Sequence, residues 1–138
     1  MTEVFADAFY FVALLNWRDQ HHRAVRPASL SSQLRIVTTT WILVEVADAL
    51  SRVPLRSLAH RFVKSALADP SMAVLAESHW LDRGVALFGS RADKAWTLTD
   101  CISFAVMSER GITSALTADR HFAQAGFVPM FASSGERP

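Results

Sequence analysis

Five short apolar runs recur along the chain: Val4–Ala6, Ile36–Thr39, Ala73–Leu75, Ser114–Thr117 and Phe127–Phe131. Each suits a strand. Between them lie longer segments with helical period. Trp41–Leu50 is apolar on most faces, as in a well-buried helix. Leu55–Leu67 is amphipathic, with Leu55, Leu58, Ala59, Phe62, Val63, Ala66 and Leu67 on one side. Ile102–Met107 reads as another buried helix, stopped at Gly111, the residue type favoured just past a helix end. Strands alternating with helices predict an α/β fold with a mostly parallel sheet. In such sheets the functional crevice opens at the carboxyl ends of the strands, and Asp7 and Asp119 fall just past two predicted strand ends.

No repeat, low-complexity block or linker divides the 138 residues, which fit one domain over 1–132 followed by a flexible tail over 133–138. Half the residues are hydrophobic (51%) and a fifth charged (20%), which excludes a disordered chain. The net charge of +1 leaves any nucleic-acid surface to local clustering of basic residues. The apolar run from Val4 to Leu15 contains Asp7, lacks a basic leader and a cleavage site, and falls short of the about 20 residues a membrane span needs. It predicts a buried strand running into a helix, in a soluble protein with no membrane partner. A single cysteine, Cys101, allows no internal disulfide and suits a reducing cytoplasm.

The chemistry lies in the acids. Asp7 stands between apolar runs, where it either caps the following helix or serves a site. Glu45 lies in an apolar helical segment: either it has a buried partner, or it shares a solvent-facing stripe with Asp48 one turn on. Asp100 follows Thr97 by three residues, a close variant of the capping box, and its place at a helix start also suits a second role. Asp119 either starts a short helix over Arg120–Gln124 or joins the others. If the four converge, two carboxylates about 4 Å apart repel by roughly 4 kcal/mol at an effective dielectric near 20. Such a cluster calls for a divalent cation, and oxygen ligands select Mg²⁺ or Mn²⁺, ions suited to phosphodiester hydrolysis. Competing chemistry is poor. Cys101 sits in an apolar helix, no phosphate-binding glycine motif occurs, and the histidines lack zinc-ligand spacing, with His21 and His22 expected at the surface.

Three blocks together resemble the PIN domain, and within it the VapC-like toxin ribonucleases: "VFADAFYFVALLNWRDQHHRAV", "TTTWILVEVADAL" and "DKAWTLTDCISFAVMSERGITSALTADRHFAQAGF". The resemblance runs nearly end to end and places the family's acids on Asp7, Glu45, Asp100 and Asp119. It implies a five-stranded parallel sheet with helices on both faces, an Mg²⁺ or Mn²⁺ site and cleavage of RNA. It also implies a cognate antitoxin and a toxin homodimer. One departure stands out: the family has small hydroxyl residues after the first acid, and this chain has Ala8 and Phe9. Thr99 and Thr117 keep hydroxyls near the later acids, either as hydrogen-bond donors to the site or as a cap and a strand residue.

Arg52, Arg56, His60 and Lys64 recur at four-residue spacing, with Arg61 beside them, and form one basic stripe. It is either a solvated face or a contact for RNA phosphates or an acidic antitoxin. Arg91 and Lys94, shortly before Asp100, are better placed to meet a substrate phosphate. Trp17, Trp41, Trp80 and Trp96 suit core or dimer packing better than base stacking. Beside the toxin ribonuclease stands a second reading, a catalytically weak PIN domain acting as an RNA- or protein-binding module, favoured by Ala8 and Phe9. A dehalogenase-like phosphatase would need an Asp-x-Asp motif that Asp7-Ala8-Phe9 lacks.

Overall fold

In the computed structural model, which describes residues 1–133, five strands form one parallel sheet. They are β1 (Thr2–Ala6), β2 (Leu34–Thr39), β3 (Ala73–Leu75), β4 (Ser114–Leu116) and β5 (Val128–Pro129), in the order β3-β2-β1-β4-β5. The tail expected over 133–138 lies outside the described residues, apart from Ser133.

The helices are α1 (Ala8–Leu15), α2 (His22–Ser29), α3 (Thr40–Ala49), α4 (Arg56–Ala68), α5 (Ser78–Ser90), α6 (Leu98–Arg110) and α7 (Arg120–Gln124). The winding runs outward from β1 through β2 to β3, then returns to β4 and proceeds to β5. Right-handed crossovers therefore place α1 to α4 on one face and α5 to α7 on the other. The packing follows this division: α1 meets α2 and α3, α3 meets α4, and α5 pairs with α6. The core fills the space between, with Phe5, Tyr10, Ile42, Phe104, Met107 and Phe122 all but excluded from solvent. No helix among the described residues is long and apolar enough to cross a membrane.

Local chemistry explains the departures from the sequence pattern. β5 pairs only over Val128–Pro129, because Pro129 has no N–H to donate and sits on the sheet's edge, where that loss is tolerated. The predicted strand at Ser114–Thr117 ends at Leu116, and the Thr117 N–H turns back to the Ala115 carbonyl. Helix α5 carries Gly84 and Gly89, which weaken its helical signature. Gly84 is there for packing: a Cβ would lie 2.4 Å from Ile102 Cγ1 and 3.0 Å from the Ile102 backbone, so α5 and α6 approach closely only without one. Leu67, expected on the apolar face of its helix, is 59% exposed; Ala59 and Ala66 carry the buried contacts there. Trp80 and Trp96 are buried, whereas Trp17 is 72% exposed with the Arg18 guanidinium 5.1 Å from its ring centroid.

Candidate metal centre

The winding of the sheet reverses between β1 and β4, and there the connections leaving the carboxyl ends of the two paired strands turn to opposite faces, the place where α/β sheets open a crevice. Asp7 follows β1 directly and Asp119 follows β4 by three residues. Asp100 enters on the first turn of α6, and Glu45 on α3.

A threonine fixes each segment that carries an acid. The Thr38 hydroxyl donates to the Ala6 carbonyl (2.8 Å), holding the end of β1 immediately before Asp7. The Thr39 hydroxyl accepts from the Ile42 N–H (3.2 Å) and so caps α3, the helix of Glu45. Thr97 and Asp100 complete the expected capping box: Thr97 Oγ1 accepts from the Asp100 N–H (3.0 Å), and Asp100 Oδ2 accepts from the Thr97 N–H (3.1 Å). Thr117 reaches furthest. Its hydroxyl donates to Asp7 Oδ2 (2.8 Å) and accepts from the Asp119 N–H (3.1 Å), joining two acids from opposite ends of the chain. Thr117 is therefore more than a strand residue. Thr99 is half-buried, and its carbonyl accepts from Ser103 Oγ (3.1 Å).

The cap readings divide accordingly. Asp7 occupies the N-cap position of α1, but its side chain makes no capping hydrogen bond. Asp119 does cap α7, accepting from the His121 N–H at 2.9 Å. Glu45 lies on an exposed stripe of α3 with Asp48, and it also feels the site, since Asp100 and Asp119 both raise its proton affinity.

Electrostatics tie the four acids together. Burial, with added repulsion from Glu45 and Asp100, pushes the Asp7 carboxyl up to about 7 against the pull of Thr117. Burial, then Asp100, Asp119 and Asp48, raises Glu45. Burial raises Asp100 too, with Asp119 adding to it and His121 opposing it. Carboxylates so crowded gain from a cation that replaces their lost solvation.

His121 completes the centre and has no counterpart among the acids read from the sequence. Its Nδ1 lies 3.3 Å from Asp100 Oδ2 and 3.4 Å from Asp119 Oδ1. Asp100, Asp119 and His121 each offer a ligand atom within 4.8 Å of one another, the one such grouping among the described residues. Asp7 and Glu45 stand outside that trio and join it through charge. The signal for His121 was its place two residues after Asp119 at a helix start; spacing rules for paired zinc ligands do not detect it.

The basic residues are arranged less tightly. Arg56, His60 and Lys64 are exposed along α4, while Arg52 precedes the helix, its carbonyl accepting from the Leu55 and Arg56 N–H groups. A groove of about 400 Å³ between α3 and α4 is lined by Asp48, Arg56 and His60 among others. Arg91 is paired with Asp93 (2.9 and 3.0 Å) and lies over Trp96, 5.0 Å from the ring centroid. Lys94 is half-buried in the turn that follows. His21 and His22, expected at the surface, are half-buried: His21 packs on Phe9, and His22 Nδ1 lies 2.8 Å from the Ala13 carbonyl.

Known proteins share this fold. The PIN domain family matches residues 4–128. The 23S rRNA-specific endonuclease VapC20 of Mycobacterium tuberculosis, found in two strains, is 27% identical over 136 residues, spanning 91% of this chain and 95% of the relative. The crystal structure of M. tuberculosis VapC20, described as a toxin that cleaves the sarcin–ricin loop, superposes with a TM-score of 0.81 at 23% identity. That superposition covers 98% of this chain and 99% of the other. With its match extending over nearly the whole described chain, this protein belongs to the PIN domain family.

Proposed function

We propose that the chain is a divalent-cation-dependent endoribonuclease and the toxin of a toxin–antitoxin pair, with a cognate antitoxin as its partner. The observation that carries this reading is the grouping of Asp100, Asp119 and His121, with Asp7 tied to the Asp119 segment through Thr117 and with Asp7, Glu45 and Asp100 all raised in proton affinity. The donor set fits Mg²⁺ or Mn²⁺: carboxylate oxygens dominate, and the one imidazole is tolerated better by Mn²⁺ than by Mg²⁺. Asp100 and Asp119 would hold the ion, with Asp7 and Glu45 completing the negative field. When bound, such an ion supplies Lewis-acid stabilisation of the charge that develops on a phosphodiester under attack. Glu45, solvent-accessible and raised in proton affinity, would take a proton from an attacking water. Thr117 holds Asp7 and the Asp119 backbone in register.

The binding-module reading rests on Ala8 and Phe9 standing where the family has small hydroxyl residues. Thr117 weakens it, because its hydroxyl serves Asp7 from just past the end of the neighbouring strand. Cleavage of 23S rRNA by purified, antitoxin-free protein with Mg²⁺ or Mn²⁺, mapped by primer extension, tests the proposal. Asp100→Asn should fold normally, since an amide oxygen still completes the cap, yet lose several orders of magnitude in cleavage. Thr97→Ala should cost about 1 kcal/mol of stability and keep most activity. Near-wild-type cleavage by cation-saturated Asp100→Asn would reduce Asp100 to a cap.

A further inference from the structure

Helix α1 opens with Ala8 after the N-cap Asp7 and continues with three aromatic residues, Phe9, Tyr10 and Phe11. Tyr10 and Phe11 turn into the core at 1% and 2% exposure, whereas Phe9 stays partly open to solvent. Two further partly exposed rings lie beside it: the His21 ring centroid is 4.8 Å from that of Phe9, and the Phe131 centroid 6.1 Å. The neighbourhood is anchored. The His21 N–H donates to Asp19 Oδ1 (2.8 Å), and His22 Nδ1 lies 2.8 Å from the Ala13 carbonyl, so the loop before α2 is held against α1 with His21 on Phe9. The Phe131 N–H donates to the Thr117 carbonyl (2.9 Å), and Thr117 is the residue whose hydroxyl holds Asp7. The aromatic group therefore adjoins the acidic crevice, within two residues of Asp7 along the chain and one hydrogen bond from Thr117.

A nuclease whose centre is anionic repels the very backbone it cuts and must hold the strand by other means. Of the two cations expected beside Asp100, Arg91 is already paired with Asp93; Arg56 and Lys64 are exposed on α4, and the chain's net charge is only +1. Every nucleobase offers a π-face, and stacking of unpaired bases on aromatic side chains is a principal means of holding single-stranded RNA. We propose that Phe9, with His21 and Phe131 beside it, is a stacking platform for one unpaired base of the RNA whose phosphate lies at the acidic centre. The site is thus a nucleobase subsite, and it rests on the ribonuclease reading above. It gives the aromatic residue found after the first acid a role of its own.

Binding of fluorescein-labelled hexa-adenylate and hexa-uridylate, measured by anisotropy in Ca²⁺, tests the subsite, with wild-type 23S rRNA cleavage measured first. Phe9→Leu, which fills space without a π-face, should weaken binding roughly 5- to 100-fold at unchanged melting temperature. Phe9→Trp should stay within about 3-fold of wild type, with its indole fluorescence quenched by RNA. An abasic site moved along the hexamer should reproduce the loss at one position in wild type and add nothing in Phe9→Leu. Equal affinity for Phe9→Leu and wild type, or a wild type indifferent to every abasic position, would overturn the subsite while leaving the nuclease intact; the second result needs no variant to fold. Loss of antitoxin binding alone in Phe9→Leu would also overturn it, making the rings a protein contact. Wild type that neither binds nor cleaves RNA would remove the ribonuclease reading itself.

Discussion

Asp7 binds a proton far more readily than an ordinary carboxyl, and the sign of the consequence is definite. Its pKa rises from the ordinary aspartate value of 3.8 to about 7, chiefly through burial. The folded chain therefore holds a proton that the unfolded chain has already released at intermediate pH. Stability from this group is full below about pH 4 and is lost as pH climbs to about 7, by on the order of 4 kcal/mol when no cation is bound. Asp7→Asn abolishes that slope. In chelator at pH 8 it should melt above wild type, and at pH 4 close to it; on adding Mg²⁺ or Mn²⁺ it should gain less. Thermal melts at the two pH values decide the matter, since an undiminished slope in Asp7→Asn would place the titrating group elsewhere. Cation binding expels the proton, so affinity should rise with pH toward 7. The Asp7–Thr117 contact also ties the end of β1 to the segment that carries Asp119.

Between elements, the tightest constraint is the seam between α5 and α6, the helix that carries Asp100. Arg83 on α5 pairs with Glu109 on α6, and Gly84 lets the helices close over Ile102. In an open helix, Gly→Ala stabilises by roughly 0.5–1 kcal/mol. Here the added methyl meets backbone as well as side chain, so Gly84→Ala should instead destabilise by about 1–3 kcal/mol, measured by denaturant unfolding. A Gly84→Ala protein as stable as wild type would mean that the seam relaxes freely. The stripe on α4 behaves oppositely. Arg56 and Lys64 are exposed, so reversing both charges should change stability by no more than about 0.5 kcal/mol each while weakening RNA or antitoxin binding and its salt dependence. Unaltered affinity for both partners at low salt would leave the stripe a solvated face.

Across the whole molecule, what the sequence made legible was local, and what it hid was long-range. Strand and helix periodicity, the Thr97–Asp100 box and the Gly111 stop at a left-handed φ of 68° depend on neighbours a few positions apart. Helix α5 was hard to read because Gly84 answers to Ile102, a residue on another element. The order of the strands, the reach of Thr117 to Asp7 across 110 positions, and the clustering of His121 with Asp100 exist only once the sheet has closed. The same separation has a temporal meaning. The turn over residues 91–97 divides the acids two and two, with Asp7 and Glu45 before it and Asp100 and Asp119 after. A ribosome that has completed α5 has released into the cell half of a charge cluster and no blade. If the proposed centre needs acids from both halves, a chain made only as far as α5 carries Asp7 and Glu45 without Asp100 and Asp119, and activity should begin only when the second pair has been added.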